Sequence, residues 1–277
     1  MDNLWNEASS SGLSELELLV YQSRLVGIDP NLVLWGGGNT SIKTYRKDFR
    51  GRNTEVLLVK SSGADLATVR PNDFVALRID DLEPVFQRSE MTDEQVVTYL
   101  EHCMMDPGSA RPSIETLLHA FIPMPSVVHS HADAIVSLTN TREANDILPR
   151  VFDKKVGFVE YMRPGFVLSK NVGQLERDND NLDGVILIKH GLFTWGPSIK
   201  QAYDTHINLI SRAEKFTRDF ASSKRIFALA SGRTIDNNTQ QTIAASLAPI
   251  LRGTVSKNQT MILRYDNAPD VMEFVNS

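Results

Sequence analysis

Two histidines separated by one residue, in Val127-Val128-His129-Ser130-His131-Ala132-Asp133, form the most chemically loaded stretch of this sequence. In an extended strand alternate side chains share a face, so His129 and His131 aim two imidazoles at one point. Paired imidazoles suit a metal ion. A third nitrogen is offered by His190, which closes the apolar run 184–189 just ahead of Gly191. Three neutral imidazoles leave zinc one open position, the arrangement of a catalytic centre.

Two loops bring anion-binding chemistry. Gly36-Gly37-Gly38-Asn39-Thr40-Ser41 frees backbone N–H groups to converge and adds three side-chain donors, and Lys60-Ser61-Ser62-Gly63 repeats the theme with a cation. Neither is a dinucleotide fingerprint or a Walker loop. A plain Gly-rich hairpin would explain the first loop alone; two such loops in one domain point to a phosphate-bearing ligand. A carboxylate follows in Arg111-Pro112-Ser113-Ile114-Glu115, where Ser113 reads as a helix N-cap, Glu115 falls in the first turn and His119 lies one turn on. A carboxylate there often does no more than favour the helix dipole. This helix, however, feeds the strand carrying His129 and His131, which brings its start toward the proposed metal. His102 and His206 sit within helical patterns and are read as packed side chains; His119 is read as a neighbour of the site.

The elements that must position these groups follow from periodicity. Ser14 with Glu17 three residues on predicts a capped helix over 14–26, and further helices are predicted over 92–105, 134–139, 145–152 and 198–220. Strands are predicted over 32–35, 55–59, 77–79, 127–133, 156–161, 184–190 and 192–195, with 41–44 extended. The stretch 171–176 carries too weak a pattern to assign. After Lys224 come a short apolar run at 227–232, a helix over 239–247 stopped by Pro249, a strand at 261–265 and a last helix over 269–275. These cannot make a core of their own. The expected organisation is a main domain over 1–223 and an extension or connector over 224–277.

A chain of 277 residues with 42% hydrophobic content can fill a large core. With 34 acidic against 29 basic side chains it offers no basic surface to nucleic acid or acidic lipid. The single Cys103 leaves no partner for an internal disulfide, and no apolar run approaches a membrane span. A cytoplasmic protein with neither nucleic-acid nor membrane partners is expected.

Taken in order, Gly37-Gly38-Asn39-Thr40-Ser41, Lys60-Ser61-Ser62-Gly63, Pro112-Ser113-Ile114-Glu115, Val128-His129-Ser130-His131 and Lys189-His190-Gly191 resemble the motifs of the class II aldolase/adducin family over residues 14–220. More narrowly, the chain is similar to the N-terminal aldolase half of bifunctional rhamnulose-1-phosphate aldolase/lactaldehyde dehydrogenases, and the tail after Lys224 resembles their connector. No Gly-x-Gly-x-x-Gly occurs, so NAD binding by this stretch is not expected. The resemblance implies an α/β fold, three-layer α/β/α with a mixed, largely antiparallel central sheet, in a tetramer with sites at subunit contacts. It implies Zn²⁺ on His129, His131 and His190, Glu115 as acid/base, and Gly38, Asn39, Thr40, Ser62, Gly63 and Ser113 around a sugar phosphate. Ile114 stands where many single-function members have a second serine. The family's second base is a tyrosine, for which Tyr161 and Tyr265 are candidates. The implied reaction is cleavage of L-rhamnulose 1-phosphate; a pentulose-phosphate 4-epimerase would use the same parts, and an adducin-like interaction module would keep the fold without the chemistry.

Overall fold

A seven-stranded sheet organises the larger of two units, Met1–Arg218, in a computed structural model that describes residues 1–179, 181–221, 235–257 and 259–275. The strands are β1 (Asn39–Lys47), β2 (Asn53–Lys60), β3 (Phe74–Arg78), β4 (Ser126–Ser130), β5 (Val156–Val159), β6 (Gly184–Leu187) and β7 (Gly191–Gly196). Their order is β3-β2-β1-β4-β7-β6-β5, antiparallel at every pairing except β5 with β6. The helices in this unit are α1 (Glu7–Ser10), α2 (Glu15–Gly27), α3 (Ile79–Leu82), α4 (Asp93–Cys103), α5 (Thr116–Phe121), α6 (Asp133–Thr139), α7 (Ala144–Val151), α8 (Phe166–Arg177) and α9 (Ile199–Ala221), the last running three residues past Arg218.

Strand alternation sorts the core into two faces. Leu57, Val59, Val127, Val185 and Leu187 pack toward α3, α4, α5 and α8, while Val56, Leu58, Val128 and Ile186 pack toward α2, α6, α7 and α9. This is the expected three-layer α/β/α arrangement around a mixed, largely antiparallel sheet. The Ser14–Glu17 capping box starts α2 as predicted, and Cys103 is a buried thiol pushed up to about 12 by burial.

Several local readings are corrected. Residues 32–35 are no strand: Leu32 and Val33 are buried from a turn, Leu34 and Trp35 face solvent, and Leu34 O accepts from Gly37 N at 2.9 Å, so the chain enters β1 only at Asn39. The unassigned stretch 171–176 lies inside α8. Its apolar pattern is diluted because Gly173 is needed for contact with α5, a Cβ there falling 2.7 Å from Phe121 Cβ.

The site strand is fastened from behind. Ser130 points away from the histidines toward α9, where its Oγ lies 2.7 Å from His206 Nε2, and Thr194 Oγ1 of β7 lies 2.9 Å from His206 Nδ1. Thr194 donates to Ala202 O, so it accepts from Nδ1–H, and Nε2 accepts from Ser130. His206 thus pins α9 to both strands. Its burial depresses the imidazole to about 3 from an ordinary 6.5. Between those values the unfolded chain holds the extra proton, so folding stability is lost as pH falls through this window. Thermal melts should show Tm dropping from pH 6.5 toward pH 3. His206→Gln should make that decline shallower, and an unaltered slope would contradict this account.

The second unit, Asp219–Ser277, contains α10 (Asn237–Val255) and α11 (Pro269–Val275). Asp236 caps α10 through Thr239 N at 3.0 Å. The predicted stop at Pro249 does not occur: the helix continues through it to Val255. Residues 261–265 are not a strand, and the run 227–232 lies outside the described residues. Among the described residues no helix is long and apolar enough to cross a membrane.

Candidate active site

Register builds the site. Asn39 of β1 is the cross-strand partner of His129 of β4, which is in turn the partner of Phe193 of β7. Partners share a face, so all three lie under α5. Phe193 stacks on the His129 ring at 3.9 Å with 9° between planes, and His129 Nδ1 donates to Leu192 O at 3.0 Å. That bond fixes the tautomer and leaves the Nε2 lone pair facing inward. His131 lies just past the end of β4, its ring 4.8 Å from that of His129. Gly37 is the reason the glycine cluster is needed there, since a Cβ would meet His131 Nδ1 at 3.2 Å. Gly38 is under the same constraint, with φ +63 and a Cβ position 2.8 Å from His129 O.

His190 is not the end of a strand but the last residue of a tight turn between β6 and β7, its N–H bonded to Leu187 O at 3.0 Å. Lys189 before it has φ 61, a left-handed conformation strained for a non-glycine residue. The turn brings the His190 ring to 5.1 Å from both other rings. One ligand atom from each of the three histidines lies within 4.8 Å of the others. His129 Nε2 and His131 Nε2 are buried without a hydrogen-bond partner. Inward lone pairs with no partner are what a metal ion would satisfy, so the residues fit such an ion. Burial pushes His129 well below its ordinary value and lowers His131 too, which keeps both rings neutral, the ligating state.

Glu115 joins this cluster. Its Oε1 lies 3.3 Å from His190 Nε2 and its Oε2 3.7 Å from His129 Nε2, while Asn39 Nδ2 donates to Oε2 at 2.8 Å. Burial alone would raise this carboxyl; the facing His129 and His190 and the Asn39 amide reverse the effect and hold it below the usual carboxylate range. The helix starts later than predicted. Ser113 does not cap it; α5 begins at Thr116, and Glu115 occupies the cap position with φ -84 and ψ 1 but no capping bond. Its carboxylate is thereby released toward the histidines instead of the helix end.

The proposed anion ligands separate into two groups. Ser62 and Gly63 are exposed at a loop apex, Gly63 with φ +79 and open space where a Cβ would stand. A bridge between Ser61 and Pro112, and Ser62 N donating to Arg111 O at 2.8 Å, set this apex beside Ser113, whose Oγ accepts from Glu115 N at 3.3 Å. Lys60 is buried under the loop, its Nζ donating to Ala64 O at 2.7 Å and Ser61 O at 3.3 Å, so it supports the loop and is not presented as a free cation. Thr40 is a correction: its side chain alternates to the opposite face, where Oγ1 lies 2.6 Å from Ser23 Oγ of α2. A residue adjacent to a site residue in a strand points away from it.

Sequence reasoning underrated His119. Its Nδ1 lies 2.7 Å from Ser41 Oγ, and its Nε2 is hydrogen-bonded to Asn39 Oδ1. Burial pushes it down to about 3, so it is neutral. Alternation along β1 puts Ser41 and Asn39 on one face, but no spacing in the sequence brings α5 across it.

The model of the Class II Aldolase and Adducin N-terminal domain matches residues 17–216. The chain belongs to this family. Class II aldolases are typically metal-dependent, and the three histidines could hold such an ion. Among relatives, the uncharacterized oxidoreductase YuxG of Bacillus subtilis (strain 168) is 42% identical over 276 residues, covering 99% of this chain and 40% of that protein. The chain therefore spans about two fifths of the length of that relative. The N-terminal class II aldolase domain of a conserved protein from Thermoplasma acidophilum is 46% identical, with a TM-score of 0.74 over 79% of this chain and 100% of that one. A sugar-phosphate aldolase from Thermotoga maritima shares the fold at 17% identity, TM-score 0.57, over 76% of this chain and 97% of that one.

Proposed function

We propose that this chain is a zinc-dependent aldolase that cleaves a ketose 1-phosphate, L-rhamnulose 1-phosphate, to dihydroxyacetone phosphate and L-lactaldehyde. The observation that carries the reading is the convergence of His129, His131 and His190 on one point with the Glu115 carboxylate 3.3 Å from His190 Nε2. Held by the three imidazoles, Zn²⁺ would supply Lewis-acid stabilisation of the charge that develops on the ketose oxygens as the carbon–carbon bond breaks. Glu115, ionised at rest, is the base that removes the proton from that carbon in the condensation direction. In cleavage the same carboxyl, having taken a proton from water, returns it to the carbon that loses its neighbour. Ser62, Gly63 and Ser113 face the phosphate, with Asn39 holding the carboxylate in place. The hydroxyl that becomes the aldehyde gives up its proton to a second base; Tyr161, exposed after β5, and Tyr265 are the tyrosines to be tested for that role. Tetramer assembly and a cytoplasmic location complete the reading.

Metal analysis of the purified protein coupled to a screen of ketose 1-phosphates tests this. Bound zinc and release of dihydroxyacetone phosphate with L-lactaldehyde are expected. An epimer with no free triose phosphate would transfer the site to a pentulose-phosphate 4-epimerase, and protein without any bound metal would return it to an adducin-like interaction module.

A further inference from the structure

We propose that His119 is a positioning residue, which locks the side-chain amide of Asn39 and thereby commits Glu115 Oε2 to that amide and leaves Oε1 as the oxygen open to the site. The inference rests on the aldolase reading of Glu115. Its basis is a chain of four side chains from β1 and α5: Ser41, His119, Asn39 and Glu115.

Each link forces the next. An ionised carboxylate only accepts hydrogen bonds, so Asn39 must present its NH₂ to Oε2, at 2.8 Å. Asn39 Oδ1 is then turned to His119 and requires a donor there. His119 must carry its proton on Nε2, and Nδ1 must accept from the Ser41 hydroxyl 2.7 Å away. With the proton on Nδ1 instead, two acceptors would face each other between His119 and Asn39. Flipping the amide would relieve that clash only by setting Oδ1 against the carboxylate. His119 is fully buried, edge-on to Phe193 with centroids 5.5 Å apart, so water cannot replace the links that His119 makes. Oε1 is left out of this chain. It is buried, has no hydrogen-bond partner of good geometry, and lies on the His190 side of the carboxyl.

The test combines a kinetic cycle with a spectroscopic readout. His119→Phe keeps a ring against Phe193 but removes both nitrogens. In the metal-loaded enzyme it should lower kcat by about 10- to 100-fold while KM and metal content stay unchanged. His119→Gln, whose terminal NH₂ can stand near the Nε2 position, should recover most of that loss. In an Asn39→Ala background, His119→Phe should cost nothing further, because its effect passes through Asn39. A full additional loss in that background, or a loss of metal, would overturn the proposal. Independently of activity, ¹⁵N-histidine spectra of the wild-type protein should show His119 as the Nε2–H tautomer; an Nδ1–H or doubly protonated ring would overturn it. Should no ketose phosphate be cleaved, the aldolase reading falls while the tautomer measurement still decides the amide lock.

Discussion

His129→Ala is expected to abolish metal binding and to reduce cleavage by roughly a thousandfold or more, since Lewis-acid stabilisation is worth several kcal/mol and each 1.36 kcal/mol is tenfold in rate. Of the three imidazoles this one is the most completely built in. It is fully buried, stacked on Phe193, tied through Nδ1 to Leu192 O, and left with Nε2 as its one free position. Alanine removes the central ligand and leaves His131 and His190, too few to hold zinc tightly. Elemental analysis after dialysis and assay of aldehyde release check this together. Full activity in rigorously metal-free His129→Ala protein would sink the zinc reading.

Glu115→Gln should lower kcat by about 10²- to 10⁴-fold with metal content retained, the range over which a positioned general acid/base contributes. The amide is isosteric and its oxygen can still accept from Asn39, so the geometry of the site survives while proton transfer does not. The carboxylate is also the one charged group in a buried cluster, kept ionised by His129, His190 and Asn39 against the cost of burial. Because the folded site holds this carboxyl below its ordinary range, its charge is net stabilising at neutral pH, so the amide should also lower Tm, and metal content and kcat carry the test. An active Glu115→Gln variant would move the proton-transfer role elsewhere. Loss of metal along with activity would make Glu115 a ligand rather than an acid/base.

Most individual strands and helices and the pairing of His129 with His131 were legible because they depend on periodicity, a local property, whereas the sheet between two helical layers was implied by the family resemblance. Asn39 and Glu115 stand out by residue type and position, and the roles given to them come from the motif resemblance. What stayed hidden depends on register or on backbone torsion. Thr40 was grouped with Asn39 as a ligand although strand alternation sends it to Ser23, because the glycine cluster concealed where β1 begins. His190 was placed at a strand end, whereas it is presented by a turn whose geometry needs Lys189 in a conformation that its residue type does not advertise. The link from Ser41 through His119 to Asn39 requires knowing that α5 crosses β1. Nothing in the spacing of residues 39, 41 and 119 states that.

The strand order carries a kinetic consequence. The residues of the site come from β1, β4, the β6–β7 turn and the start of α5, and the central neighbours β1, β4 and β7 are remote from one another in the chain. Loop-closure entropy must be overcome before such pairings form, which makes them late events in folding. The metal-binding geometry therefore does not exist in any locally folded fragment. The three histidines meet once β4 pairs with β7, so acquisition of the ion reports that pairing, and a chain stalled with β1 unpaired from β4 would bring the histidines together without the hold of Asn39 on the carboxylate.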